Sequence, residues 1–87
     1  MKIILVYDVN EKRVSKVLKF LRKFLVWVQN SVFEGQLTYS ELERLKVSLK
    51  KLINEKEDSV VIFSFSESID LKKQIIGIDK SEDERTI

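Results

Sequence analysis

KIILVYD, residues 2–8, is an unbroken β-favouring run that ends on an acid. Such a run, with no polar alternation, reads as a central strand buried on both faces. From about Lys12 to Leu25 the apolar period becomes helical: Val14, Val17, Leu18, Leu21, Phe24 and Leu25 follow the i, i+3/i+4 rule. Lys12, Lys16, Lys19 and Lys23 stripe the opposite side. Trp27 to Leu37 (WVQNSVFEGQL) reads as two short strands, broken near Asn30-Ser31, with a bulge at Gly35. Thr38 then opens a second helix, and Glu41 three residues later completes a capping box. Leu42, Leu45, Leu49, Leu52 and Ile53 supply its buried stripe. After a turn over Asn54 to Asp58 comes a further strand, Ser59 to Phe65 (SVVIFSF). A last apolar run, Gln74 to Ile78 (QIIGI), predicts one more short strand.

The order βαββαβ predicts an α+β, ferredoxin-like sandwich over residues 1–78, followed by a polar C-terminal tail, residues 79–87. Two helices cover one face of the sheet, which leaves the opposite face and the edges needing cover. This fold puts SVVIFSF at an edge, and a flat apolar edge invites pairing with another strand. QIIGI is the natural partner, from the same chain or from a second copy. The chain has 87 residues and no cysteine, so neither disulfides nor a thiolate metal site can supplement a small core. Small size and an open edge both predict a homodimer.

Composition excludes several function classes. No apolar run approaches the roughly 20 residues of a membrane span. Met1 leads almost directly into Ile3-Ile4-Leu5-Val6 with no cleavage pattern after it, so the expectation is a cytoplasmic protein without a membrane partner. There is no histidine, which removes the commonest general base, the usual triads and the commonest metal ligand. Any hydrolysis must rest on carboxylates, a hydroxyl, or a metal held by oxygen. Net charge is +2, but the tail holds four acids and two bases, leaving 14 bases against 10 acids in the body. Lys12 to Lys23 alone contributes six bases and no acid.

Asp8 is the acid best placed for chemistry, at the C-terminal end of the first strand. It has two readings. Asp8, or Asn10 beside it, can cap the first helix, which is the commoner use of such a residue. Alternatively its oxygens suit Mg²⁺ or Mn²⁺, which need only one or two carboxylates. One Asp per chain is thin for a metal site, but two facing each other across a dimer axis are adequate to activate water for phosphodiester hydrolysis. Lys12, Arg13, Lys16, Lys19, Arg22 and Lys23 either track a phosphate backbone or form an ordinary solvated helix face. Ser31 and Phe33 lie in the middle strands, where Phe33 stacks a base or, more simply, packs in the core or a dimer contact. Trp27, Phe63 and Phe65 read as packing residues, and Glu41 is accounted for by the capping box. An RNA recognition motif shares this topology, but SVFEGQL lacks its aromatic pattern.

Tyr7-Asp8-Val9 after an apolar strand, a basic first helix, and QNSVFEGQL (Gln29 to Leu37) together resemble the CRISPR-associated protein 2 family. That family carries a tyrosine-aspartate pair at the end of its first strand and a Gln-x-Ser-Val-Phe-x-Gly-x-Leu segment. Every fixed position of that segment is present here: Gln29, Ser31, Val32, Phe33, Gly35 and Leu37. Two departures stand out. Phe24-Leu25 replaces a customary glycine after the first helix, and Trp27 occupies a position that is often basic.

The resemblance implies a ferredoxin-like homodimer whose final strand crosses to the partner's sheet. It further implies work in spacer acquisition beside the CRISPR-associated protein 1 integrase. It also implies a metal-dependent endonuclease on single-stranded RNA or double-stranded DNA, with Asp8 of both protomers as catalytic metal ligands for Mg²⁺ or Mn²⁺. Lys12, Arg13, Lys16 and Lys19 would hold nucleic acid, with Ser31 and Phe33 supporting the site. Two other expectations compete with this one: a non-catalytic dimeric DNA-binding scaffold of the integrase complex, and a metal-independent ribonuclease toxin of related fold.

Overall fold

The computed structural model describes residues 1–66 and 71–80. β1 (Lys2–Asp8) matches the predicted run residue for residue. It is followed by α1 (Glu11–Leu21), β2 (Val26–Gln29), β3 (Val32–Gln36), α2 (Tyr39–Leu52), β4 (Ser59–Phe65) and β5 (Leu71–Gly77). The strands form one sheet in the order β2-β3-β1-β4-β5, with every neighbouring pair antiparallel. β1 is therefore interior, which is what its unbroken apolar run requires. The result is the ferredoxin-like α+β sandwich with one added strand.

Both helices pack on one face. Ile3, Leu5, Phe33 and Ile62 of the sheet are sealed against Val17 and Leu21 of α1 and Leu45 and Leu49 of α2. Each such side chain stabilises the fold by about 1.5–3 kcal/mol when fully buried, so the stripes rather than helix propensity hold these short helices. The helix starts are set locally. The Asn10 side chain accepts from the Lys12 N–H at 2.9 Å. Thr38 and Glu41 form the predicted capping box, with the Glu41 carboxylate accepting from Thr38 N–H at 2.8 Å. That backbone hydrogen bond, foremost, holds the Glu41 carboxyl below its ordinary value.

The structure corrects the sequence reading in three places. α1 ends at Leu21, not Leu25, because the N–H groups of Phe24 and Leu25 both turn back onto the Leu21 carbonyl. Leu25 then folds inward and is buried. Gly35 is not a bulge: it pairs in register with Ile3, and the β-irregularity falls on β2 between Trp27 and Gln29. What Gly35 provides is room, since a Cβ there would lie 2.9 Å from Leu25 Cδ2. Finally, the last strand begins at Leu71 rather than Gln74 and stays with its own chain, pairing from Phe65↔Leu71 to Ser59↔Gly77. Pairing within one chain is one of the two arrangements the sequence leaves open for this strand.

β5 ends on Gly77, whose φ of +92° only glycine adopts easily. A side chain there would also run into the Asp58 carbonyl oxygen, which accepts from Ile78 N–H at 2.9 Å. Gly77→Ala is expected to cost about 1–3 kcal/mol from backbone strain alone. In a domain of this size that lowers the melting temperature by about 4–8 °C per kcal/mol. Thermal unfolding followed by circular dichroism checks it, and an unchanged midpoint would refute the strain argument.

The helices leave the other face of the sheet uncovered. Alternation along the ladders places Ile4, Val6, Val61, Phe63 and Ile75 there, all half-buried. Phe65 and Leu71 extend the patch and are 36% and 55% exposed, so Phe65 is not the interior packing residue expected. No helix of the described residues is long and apolar enough to cross a membrane.

Candidate functional site

Strand alternation decides where the two residues of the Tyr7-Asp8 pair point. Tyr7 turns toward the helices and packs its ring against Phe33, centroids 5.9 Å apart. Its N–H donates to the Ser31 carbonyl at 3.0 Å, from a tight connection in which Ser31 itself has φ +66°. Phe33 and Ser31 thus shape the strand end through Tyr7. Phe33 is fully buried, so it cannot stack a base, and of its two readings packing is the one realised.

Asp8 projects on the uncovered face, opposite Ser59, with its side chain 69% exposed. It does not cap α1, because Asn10 does. Its Oδ2 accepts from Lys80 Nζ at 2.7 Å. Lys80 belongs to the polar tail expected over residues 79–87 and here meets the end of the first strand, while residues 81–87 of that tail lie outside the described residues. Asp8, Lys80, Val61, Phe63 and Lys73 line a cleft of about 350 Å³.

A hard, exposed carboxylate of this kind fits one ligand position of Mg²⁺ or Mn²⁺. Among the described residues no three acidic groups converge in one chain. A cation held by Asp8 would need further donors beyond the described residues of one chain.

Along α1, Lys12, Lys16 and Lys19 are exposed and form no ion pair among the described residues. Arg13 is different. Its Nε donates to Asp58 Oδ2 at 2.7 Å, and its Nη2 donates to Asp58 Oδ1 at 2.9 Å and to Glu57 Oε2 at 2.7 Å. This fork-to-fork pairing uses the guanidinium internally, so Arg13 is a latch where the sequence suggested a phosphate contact. Asp58 is wholly buried and also accepts from the N–H groups of Asn10 (2.9 Å) and Asn54 (2.8 Å). The Arg13 hydrogen bonds, aided by those two amides, hold its carboxyl far below the usual carboxylate range despite burial. They raise Arg13 in turn.

In the sequence Asp58 is marked by its place at the entrance to β4, in the Asp58-Ser59-Val60 stretch that also fits the family resemblance, and nothing local points to its principal partner 45 residues away. Trp27 departs from the packing role its sequence suggests. It is half exposed instead of packed, on a β2 strand whose four residues are all exposed.

Fold and site together define a small ferredoxin-like protein with an exposed acid closing its first strand and, beside it, a first helix whose Lys12, Lys16 and Lys19 are exposed and form no ion pair among the described residues. The sequence profile of the CRISPR associated protein Cas2 family matches residues 1–73, and the chain belongs to that family. Among its relatives, the CRISPR-associated endoribonuclease Cas2 of Thermotoga maritima is 49% identical over 95% of each chain. That of Pyrococcus furiosus is 49% identical over the full length of both. A crystal structure of a Cas2 protein superposes with a TM-score of 0.73 at 45% identity, covering 93% of this chain and 91% of the other. Streptococcus pyogenes Cas2 superposes at 0.70 and 34% identity, covering 78% and 89%.

Proposed function

We propose that the protein is a homodimeric, Mg²⁺-dependent endonuclease of CRISPR adaptive immunity, acting on single-stranded RNA or double-stranded DNA beside the CRISPR-associated protein 1 integrase. The observation that carries this reading is the exposed Asp8 carboxylate on the rim of an uncovered apolar sheet face. A second copy on that face would bury Val61, Phe63 and Phe65, and can bring a second Asp8 to the same rim. The names of the relatives as endoribonucleases support nuclease chemistry in general.

Bound Mg²⁺ would polarise the scissile phosphate and acidify the attacking water. The chain's own contributions are simpler. Asp8 supplies an oxygen ligand, and Phe33 and Ser31 hold the strand end through Tyr7. Lys12, Lys16 and Lys19 attract and retain the phosphate backbone. With no histidine in the chain, no side chain is an obvious alternative general base near neutral pH.

A scaffold reading has one observation in its favour: the Asp8 oxygen is already paired with Lys80. Cleavage of single-stranded RNA and duplex DNA in Mg²⁺ and in EDTA separates the two. No cleavage of either substrate in Mg²⁺, with binding intact, would leave the scaffold.

Binding itself should depend on the basic stripe. Removing two phosphate contacts with Lys16→Glu and Lys19→Glu should flatten the salt dependence of log K by about 1.8 for duplex DNA, or about 1.4 for single strands. Titrations between 50 and 200 mM salt, roughly the range where such contacts are lost, measure that slope. An unchanged slope removes the stripe from the interface.

A further inference from the structure

Asp8 also borders a second groove, on the helix side of the sheet. We infer that this groove is a subsite for an unpaired nucleobase, with Trp27 as its stacking platform. The inference rests on the nucleic-acid reading above and adds a subsite that engages the unpaired bases of the single-stranded form.

The groove is lined by apolar Val14 and Leu18 of α1, by Tyr7 and Trp27, and by polar Asp8, Arg22, Asn30 and Ser31, so it offers both an apolar surface and hydrogen-bonding groups. Trp27 faces the buried Phe33 across the ladder, so it belongs to the helix-covered side of the sheet. Half of it nevertheless remains in contact with water. An indole is the side chain that gains most from being covered. Its placement beside a groove suits a flat apolar ligand.

Arg22 connects this groove to the basic stripe. At about 100° per residue around the helix, Arg22 lies about 40° from Leu18 on the groove side and about 60° from Lys19 on the stripe side. Arg22, like Lys16 and Lys19, is exposed and forms no ion pair among the described residues. A phosphate backbone retained on the lysines passes Arg22 and presents its bases to the indole. A planar guanidinium beside an aromatic ring is the combination that binds single strands without regard to sequence. In a duplex the base faces are already stacked on one another, so the groove discriminates for single strands. The strand then runs from Trp27 toward the Asp8 end of the same groove.

Trp27 is the only tryptophan, so its fluorescence reports this site alone. The titrants are a short single-stranded oligoribonucleotide and a blunt duplex of the same sequence, both in EDTA so that no cleavage intervenes. Saturable quenching by the single strand, with little response to the duplex, is expected. Trp27→Ala should weaken single-strand binding about 5- to 150-fold, as loss of one stacked base does. Trp27→Phe should retain most of it, and duplex affinity should move less than twofold in either variant.

Three outcomes overturn the inference: emission unmoved at saturating single strand, an equal loss for duplex and single strand in Trp27→Ala, or emission that follows protein concentration alone, which would mark a contact between copies. The unmodified protein supplies the first and third readouts, so a poorly folding variant does not blunt the test. Absence of Mg²⁺-dependent cleavage would defeat the nuclease reading and leave this result standing, and the converse also holds.

Discussion

Asp58→Ala is expected to destabilise the protein by about 3–5 kcal/mol, because it leaves the partners of a buried ion pair without their acceptor. That is a large fraction of the 5–15 kcal/mol by which domains are usually stable. Four hydrogen bonds converge on the Asp58 carboxylate: two from Arg13, one from Asn10 N–H and one from Asn54 N–H. The residue joins the start of α1 to the turn before β4, and its carbonyl holds the end of β5 through Ile78 N–H. Alanine removes the buried acceptor and leaves three part-buried donors, the Arg13 guanidinium and the N–H groups of Asn10 and Asn54, without it. The shift in urea midpoint measures the loss, and a change below about 1 kcal/mol would show that the latch contributes no more than an ordinary hydrogen bond.

The same group predicts an acid limb. Its folded carboxyl lies below the unfolded value near 3.9, chiefly through the Arg13 hydrogen bonds. The folded state thus binds fewer protons there, and the stabilisation is fully present above the unfolded value. It is lost as pH falls from about 4 through the lower folded value. Melting temperature should therefore decline below about pH 4, and Asp58→Asn should flatten that decline while lowering stability at neutral pH.

Asp8→Asn should separate function from folding. Losing even an outer-shell partner costs about 10–100-fold in metal affinity or activity, so losing a direct carboxylate ligand should reduce Mg²⁺-dependent cleavage by about 100-fold or more. Stability should hardly move, because the only side-chain bond given up among the described residues is to Lys80, and both side chains are substantially exposed. Exposed pairs of this kind contribute little. Cleavage rates and unfolding midpoints measured on one preparation test both halves. Retained Mg²⁺-dependent cleavage would mean that Asp8 is not a ligand, and a collapsed midpoint would mean that its role is structural.

Much of this molecule follows from patterns local in the chain. The KIILVYD run sets an interior strand because its successive apolar residues suit a place between two neighbouring strands, though within one chain only the face of Ile3 and Leu5 is fully covered. Thr38 and Glu41 set a helix start because their bonds close within one turn. Lys12, Lys16 and Lys19 fall on one face because 3.6 residues make a turn, and they are indeed exposed. Asp8 was legible as the acid ending the central strand.

Whether Asp8 capped a helix or stood exposed was not legible, because both uses have the same local sequence. The ladder decided it, by fixing the parity that turns Tyr7 inward and Asp8 out, while Asn10 took the cap. Arg13 carries the same stripe signature as Lys12 and Lys16, yet folding brings Asp58 and Glu57 to it from 45 and 44 residues away. Trp27 reads as an apolar core residue until β2 is seen at the sheet edge, with too little of α1 over it. Periodicity and capping are properties of neighbours in the chain, so the sequence by itself determined the elements and their apolar faces. Pairing, burial and charge compensation depend on which distant segments meet, and those only the tertiary structure decided.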